Sequence, residues 1–227
     1  KTKGLRISLR SDIPISRGLG SSASCIVGGV LAANEIAKGN LSKKEILEIA
    51  SDIEGHPDNI TPAVLGGMTV SIKEGNQIYY EKINLPEDLK FCAIIPDFKI
   101  STKDSRVILP DKISHKDGVF NIGRVSLLIA ALSSGNLDLL QFACSDRLHE
   151  VYRKSLIENY KEIVDECKKL KSLCVFLSGA GPTIMAVLKE ENKLFLEHMK
   201  SYLSELDNKW IIKELKPDLN GAYVENV

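Results

Sequence analysis

The run Pro14, Ile15, Ser16, Arg17, Gly18, Leu19, Gly20, Ser21, Ser22, Ala23, Ser24 constrains this chain more than any other feature. Upstream, residues 5–10 alternate apolar and polar with period two, which predicts a half-buried strand that stops before Pro14 because proline cannot donate to a ladder. Downstream, residues 21–38 are small or aliphatic almost without break and end at Gly39 and Asn40, which predicts a helix buried on most sides. A glycine-rich loop that opens directly into a helix suits an anion. Its glycines let backbone N–H groups approach closely, the helix start adds unpaired donors and partial positive charge, and its serine hydroxyls reach phosphate or Mg²⁺. A tight turn with a serine cap is the plainer reading of the same residues. The loop also fits a loose dinucleotide fingerprint. Against that, Pro14 and three further residues separate strand from glycines, and no acidic residue closes a matching second strand. There is no Walker A lysine-serine pair.

The rest of the chain reads as a mixture of helices and strands. Ser42 followed by Glu45 is a capping-box pattern, and Ile46, Ile49, Ala50 and Ile53 repeat at helical spacing. After a short helical segment ending at Leu65, two strand-like runs flank Glu74, Gly75 and Asn76 as a hairpin. A strand follows at 91–96. Helical patterns fill 117–171, with breaks near Gly135 and Arg153, and the tail reads strand, glycine turn, strand, helix, strand. The expected domain boundary is near Pro86, giving units 1–86 and 87–227.

Composition excludes several classes. Thirty basic residues balance 30 acidic ones, so the electrostatic footprint of a general nucleic-acid binder is absent. No apolar run approaches the roughly 20 residues of a membrane span, and no basic-then-apolar leader opens the chain. The 5 cysteines are odd in number and never spaced as a zinc or thioredoxin motif, so they are expected to be reduced, buried thiols in a cytoplasmic protein.

At the glycine-serine loop the sequence resembles the second motif of the GHMP kinases, named for galactose, homoserine, mevalonate and phosphomevalonate kinases. Ser178, Gly179, Ala180, Gly181, Pro182 and Thr183 resemble that family's third motif, a glycine-rich turn that lies against the nucleotide loop. Glu54, Gly55, His56, Pro57, Asp58 and Asn59, followed by Gly66 and Gly67, resemble the homoserine branch. The resemblance implies an α+β GHMP-kinase fold, a two-part α/β sandwich with a ferredoxin-like C-terminal domain. It implies ATP-dependent, Mg²⁺-assisted phosphorylation of the homoserine hydroxyl on the way to threonine. Another small-hydroxyl kinase of mevalonate type, or a nucleotide-binding fragment without turnover, are the alternatives. A small-molecule substrate is the implied partner, with monomer and homodimer both open.

Carried over by resemblance, ATP binds residues Pro14 to Ser24 together with Gly179 and Gly181. Mg²⁺ falls to Ser21 or Ser22 and to Glu48, placed upstream of His56 at the spacing the family shows. A hard cation bridging phosphates needs only a carboxylate and a hydroxyl from the protein. His56, Asp58, Asn59, Thr102, Arg106 and Arg153 resemble the substrate contacts, the aspartate for an ammonium and the arginines for a carboxylate and developing phosphoryl charge. Arg153, Glu48 and Ser21 are the implied catalytic group. Mevalonate-type relatives carry an aspartate where this sequence has Asn59, so no general base is assigned. The chain opens on Lys1 rather than Met, and the family's first motif is expected upstream of it, which would leave the substrate site of this chain incomplete.

Overall fold

The protein, represented by a computed structural model, is described over residues 4–225, the side chains of residues 102–104 excepted. Its first half is helical. Helix α1 (Ser21–Ala37) follows the glycine loop, α2 (Lys43–Glu54) starts on the expected capping box, and α3 (Ile60–Leu65) is short. Ser42 Oγ accepts from the Glu45 N–H at 3.3 Å while Glu45 Oε2 accepts from the Ser42 N–H at 2.8 Å, a cap contributing about 1 kcal/mol. The three helices share one core. Ala23 and Val27 of α1 meet Ile46, Leu47 and Ala50 of α2 and Ile60 and Val64 of α3, the i, i+4 spacing placing each set on one stripe. Ala23 and Val27 are the buried residues of α1, so the expectation of a helix buried on most sides is corrected. Cys25, Gly28, Gly29 and Ile36 of α1 are exposed.

Strands β1 (Met68–Glu74) and β2 (Gln77–Ile83) form the expected hairpin, turning at Gly75 and Asn76 with Glu74 opposite Gln77. The alternating stretch 5–10 enters no ladder; Leu5, Ile7 and Leu9 are exposed, and alternation without a pairing edge makes no strand.

The second half is built on a four-stranded antiparallel sheet. Its strands β3 (Leu89–Pro96), β4 (Cys174–Leu177), β5 (Ile184–Lys189) and β6 (Trp210–Leu215) lie in the order β4-β5-β3-β6. Helices lie between β3 and β4 and between β5 and β6, which is the ferredoxin-like arrangement. Ile94, Ile184, Ala186 and Leu188 of the sheet pack on Ile163 and Cys167 of helix 160–169 and on Phe195 and Met199 of helix 195–204. Between β3 and β4 come α4 (Thr102–Val107), α5 (His115–Ser134), α6 (Leu140–Ala143) and α7 (Glu150–Arg153), α8 (Tyr160–Lys169) being the helix on the sheet. Cys92, Cys167 and Cys174 are buried and burial raises the Cys92 thiol to about 11, whereas Cys25 is exposed, against expectation.

The tail returns to the first half. The Gly67 N–H donates to Asp218 O at 2.6 Å and the Ala222 N–H to Ala63 O at 3.0 Å. A side chain at Gly66 would meet the Gly221 nitrogen at 2.5 Å, so the crossing requires glycine there.

Candidate active site

Both halves contribute to one cleft of about 1170 Å³. One wall is the loop from Ile15 to Ser22, and the facing wall is the turn Ser178 to Gly181 between β4 and β5. The two loops are stitched together. Ser178 Oγ donates to Gly18 O at 2.8 Å, the Thr183 N–H donates to Arg17 O at 3.3 Å, and Gly18 adopts φ 74°. A Cβ at Gly18 would sit 2.9 Å from Gly181 O and collide with the Ser178 carbonyl, so only glycine allows this approach.

Gly20 is the N-cap of α1 with φ 72°, and no side chain caps the helix. Its first-turn N–H groups are therefore left for an anion, assisted by the positive end of the helix dipole. Of the expected loop residues, Ile15 to Ser22 and Ser24 line the cleft. Pro14 does not line it, and Ala23 faces the core of the first half. Arg17 contributes its main chain to the wall while its guanidinium is tied down elsewhere. Nε donates to Pro96 O at 2.9 Å, Nη2 to Asp97 O at 2.5 Å and Nη1 to Ile15 O at 3.2 Å.

The carboxylate that meets Ser22 is Glu54. Ser22 Oγ donates to Glu54 Oε2 at 2.7 Å, and both residues line the cleft. Glu48 lies outside it, 3.9 Å from Lys44 in a partly exposed ion pair. Six positions along α2 separate the two glutamates by roughly 120° around the axis, so both cannot face α1. Glu54 was legible as the residue that begins the histidine-proline-aspartate segment. Beside it, His56 Nδ1 and Asp58 Oδ1 are 2.5 Å apart, and the Asn59 N–H donates to Asp58 Oδ1 at 3.0 Å. All three line the cleft.

The far side carries positive charge. Arg106 and Arg153 both line the cleft, whereas the side chain of Thr102 lies outside the described residues. Arg153 bridges two segments, Nε donating to Ser105 O at 3.0 Å and Nη1 to Gly179 O at 3.2 Å. Burial lowers its pKa, nearby Asp146 opposes that and Arg106 adds to it; an arginine remains charged regardless. The turn leading to Arg153 is organised by Asp146. Burial alone would raise that carboxyl, but Oδ1 accepts from the N–H groups of Leu148, His149 and Glu150 at 3.0, 2.7 and 2.7 Å, and Asn121 Nδ2 donates to Oδ2 at 2.6 Å, so its pKa falls. His149 also lines the cleft, a residue the sequence reading missed; it stands four positions before Arg153, on the same face of the turn.

No group of three or more His, Cys, Asp or Glu among the described residues could hold a metal. An oxygen pair such as Ser22 and Glu54 fits a cation that takes its other ligands from phosphate and water.

Residues 1–67 match the GHMP kinases N terminal domain and residues 128–204 the GHMP kinases C terminal domain. A homoserine kinase from Clostridium botulinum is 55% identical over 226 residues, covering 100% of this chain and 76% of that protein. The chain belongs to the homoserine kinase family of the GHMP kinases. In three dimensions, the crystal structure of homoserine kinase from Cytophaga hutchinsonii superposes with a TM-score of 0.85 at 26% identity, over 93% of this chain and 69% of that one. A putative homoserine kinase from Listeria monocytogenes gives 0.73 at 31% identity, over 94% and 71%. Mevalonate kinase from L. major, at 21% identity and a TM-score of 0.66, shares the GHMP fold. No helix among the described residues is long and apolar enough to cross a membrane.

Proposed function

We propose that this chain transfers the γ-phosphoryl group of ATP to the hydroxyl of homoserine, giving O-phosphohomoserine and ADP on the route to threonine. The observation that carries this reading is the meeting, in one cleft, of the uncapped start of α1, the Ser22–Glu54 oxygen pair and the arginines 106 and 153, in a chain 55% identical to a homoserine kinase.

The backbone N–H groups of Gly20, Ser21 and Ser22 receive the triphosphate, and Gly179 and Gly181 wall it from the other side. Ser22 and Glu54 would hold Mg²⁺, which would supply neutralisation of phosphate charge; in this assignment Glu54 takes the place first given to Glu48. Asp58, fixed by His56 and the Asn59 N–H, receives the substrate ammonium, and Arg106 its carboxylate. The substrate hydroxyl oxygen then bonds to the γ-phosphorus as the bond to the β-γ bridging oxygen breaks, ADP leaving with the electron pair. Arg153 stabilises charge on the transferring group. Asn59 cannot accept the hydroxyl proton, so that proton leaves late, to solvent, as a loose transition state allows.

We further propose the division into units 1–86 and 87–227, a cytoplasmic location supported by the free cysteines, and either monomer or homodimer as the working state. The deciding experiment incubates the chain with Mg-ATP and homoserine, or mevalonate, and identifies products by mass spectrometry. O-phosphohomoserine with stoichiometric ADP supports the reading; phosphomevalonate alone, or nucleotide binding with neither product, refutes it.

A further inference from the structure

We propose that Arg17 is a positioning residue that couples the nucleotide loop to the substrate-side segment 96–106. The inference rests on the proposed nucleotide site and deepens it. Arg17 lies inside a motif built for anions, yet its side chain is not offered to one. The residue is 8% exposed, and its donors reach only backbone carbonyls, those of Pro96, Asp97, Ile15 and Ser16. Among the described residues no carboxylate pairs with it. A buried cation without a counter-ion is expensive, and an apolar side chain could fill the same space, so what an arginine adds here is the connection it makes.

That connection closes a ring. From Arg17 the hydrogen bonds pass to Pro96 and Asp97 at the end of β3, where the chain runs on through Ile100 to Arg106, both lining the cleft. The neighbouring Ser105 carbonyl accepts from Arg153, and Arg153 donates to Gly179. Ser178, next to Gly179, donates to Gly18, which adjoins Arg17. Each bond in this ring joins a backbone carbonyl to a side chain from a distant segment. A triphosphate that fixes Gly18 and Gly20 therefore fixes Arg17, and with it the carbonyls that begin the substrate-side segment. Lysine replaces it only in part: one ammonium cannot span all the carbonyls that the planar fork reaches from separate nitrogens. Coupling of this kind is reciprocal, so homoserine bound at Arg106 tightens nucleotide to the same degree.

Amide hydrogen exchange tests this directly, using Mg²⁺ with a non-hydrolysable ATP analogue on the unsubstituted chain, Arg17→Lys and Arg17→Met. In the unsubstituted chain the analogue slows exchange in residues 18–24 and slows it in 96–106 by about tenfold, the ordinary size of coupling between sites. In Arg17→Met the slowing at 18–24 persists and that at 96–106 vanishes, with Arg17→Lys in between. Exchange in β4 and β5 stays unchanged as the check on folding, and if the Met variant does not fold, Arg17→Lys decides. Undiminished slowing at 96–106 in the variants, or none there in an unsubstituted chain that protects 18–24, overturns the proposal. A chain that shows the coupling but does not phosphorylate homoserine would refute the proposed function and leave the role of Arg17 standing.

Discussion

Ser22 Oγ donates a 2.7 Å hydrogen bond to Glu54 Oε2, joining the first turn of α1 to the last residue of α2 at the edge of the cleft. Glu54→Gln keeps the shape and removes the charge a divalent cation needs. Its kcat should fall on the order of 10²-fold and its Mg²⁺ requirement should rise. Glu48→Gln, outside the cleft, should stay within about twofold of the parent enzyme, as surface changes do. Steady-state rates across a Mg²⁺ titration separate the two.

Gly18 is the point where the two glycine-rich loops touch. Gly18→Ala must place a Cβ against the Ser178 and Gly181 backbone while holding φ near 74°. The expected loss is about 1–3 kcal/mol of stability, read by urea denaturation, with a raised KM for ATP because the loop moves away from its partner.

Arg153 spans Ser105 and Gly179 and lines the cleft. Arg153→Ala should lower kcat by about 10³-fold, the scale of an arginine acting on a transferring phosphoryl group, while nucleotide still binds. An unchanged kcat would remove Arg153 from the chemistry.

Asp146 makes stability depend on acidity. Its carboxyl titrates below its ordinary value of 3.8 in the folded chain, so its contribution is complete above that value and is lost as pH falls through the folded pKa. Thermal melts from neutral pH down into acid below the ordinary carboxyl value of 3.8 should show the parent protein more stable than Asp146→Asn at neutral pH. The gap should close in acid, because protonation removes the charge that the three backbone donors favour.

Much of this architecture is legible in the sequence because local chemistry settles it. The Ser42–Glu45 capping box, the Gly75–Asn76 hairpin and the Ser178 to Thr183 turn depend on neighbours within a few positions. What the sequence left undecided depends on partners far along the chain. Alternation at 5–10 defines a face but supplies no edge to pair with. The sequence points to Glu48 by its spacing from His56, whereas the place of Glu54 beside Ser22 depends on the rotation of α2 about its axis, which is set by Ile46, Leu47 and Ala50 against α1. Arg17 reads as an anion ligand by its charge and its motif, and only the arrival of Pro96 and Asp97 beside it turns the guanidinium inward.

A crystal of the chain grown with Mg²⁺ and an ATP analogue would test the central claim most directly. The triphosphate should lie against the N–H groups of Gly20 to Ser22, with the metal between Ser22 and Glu54 and the γ-phosphate facing Arg153. Density for the nucleotide away from the start of α1, or a metal held without Glu54, would contradict it.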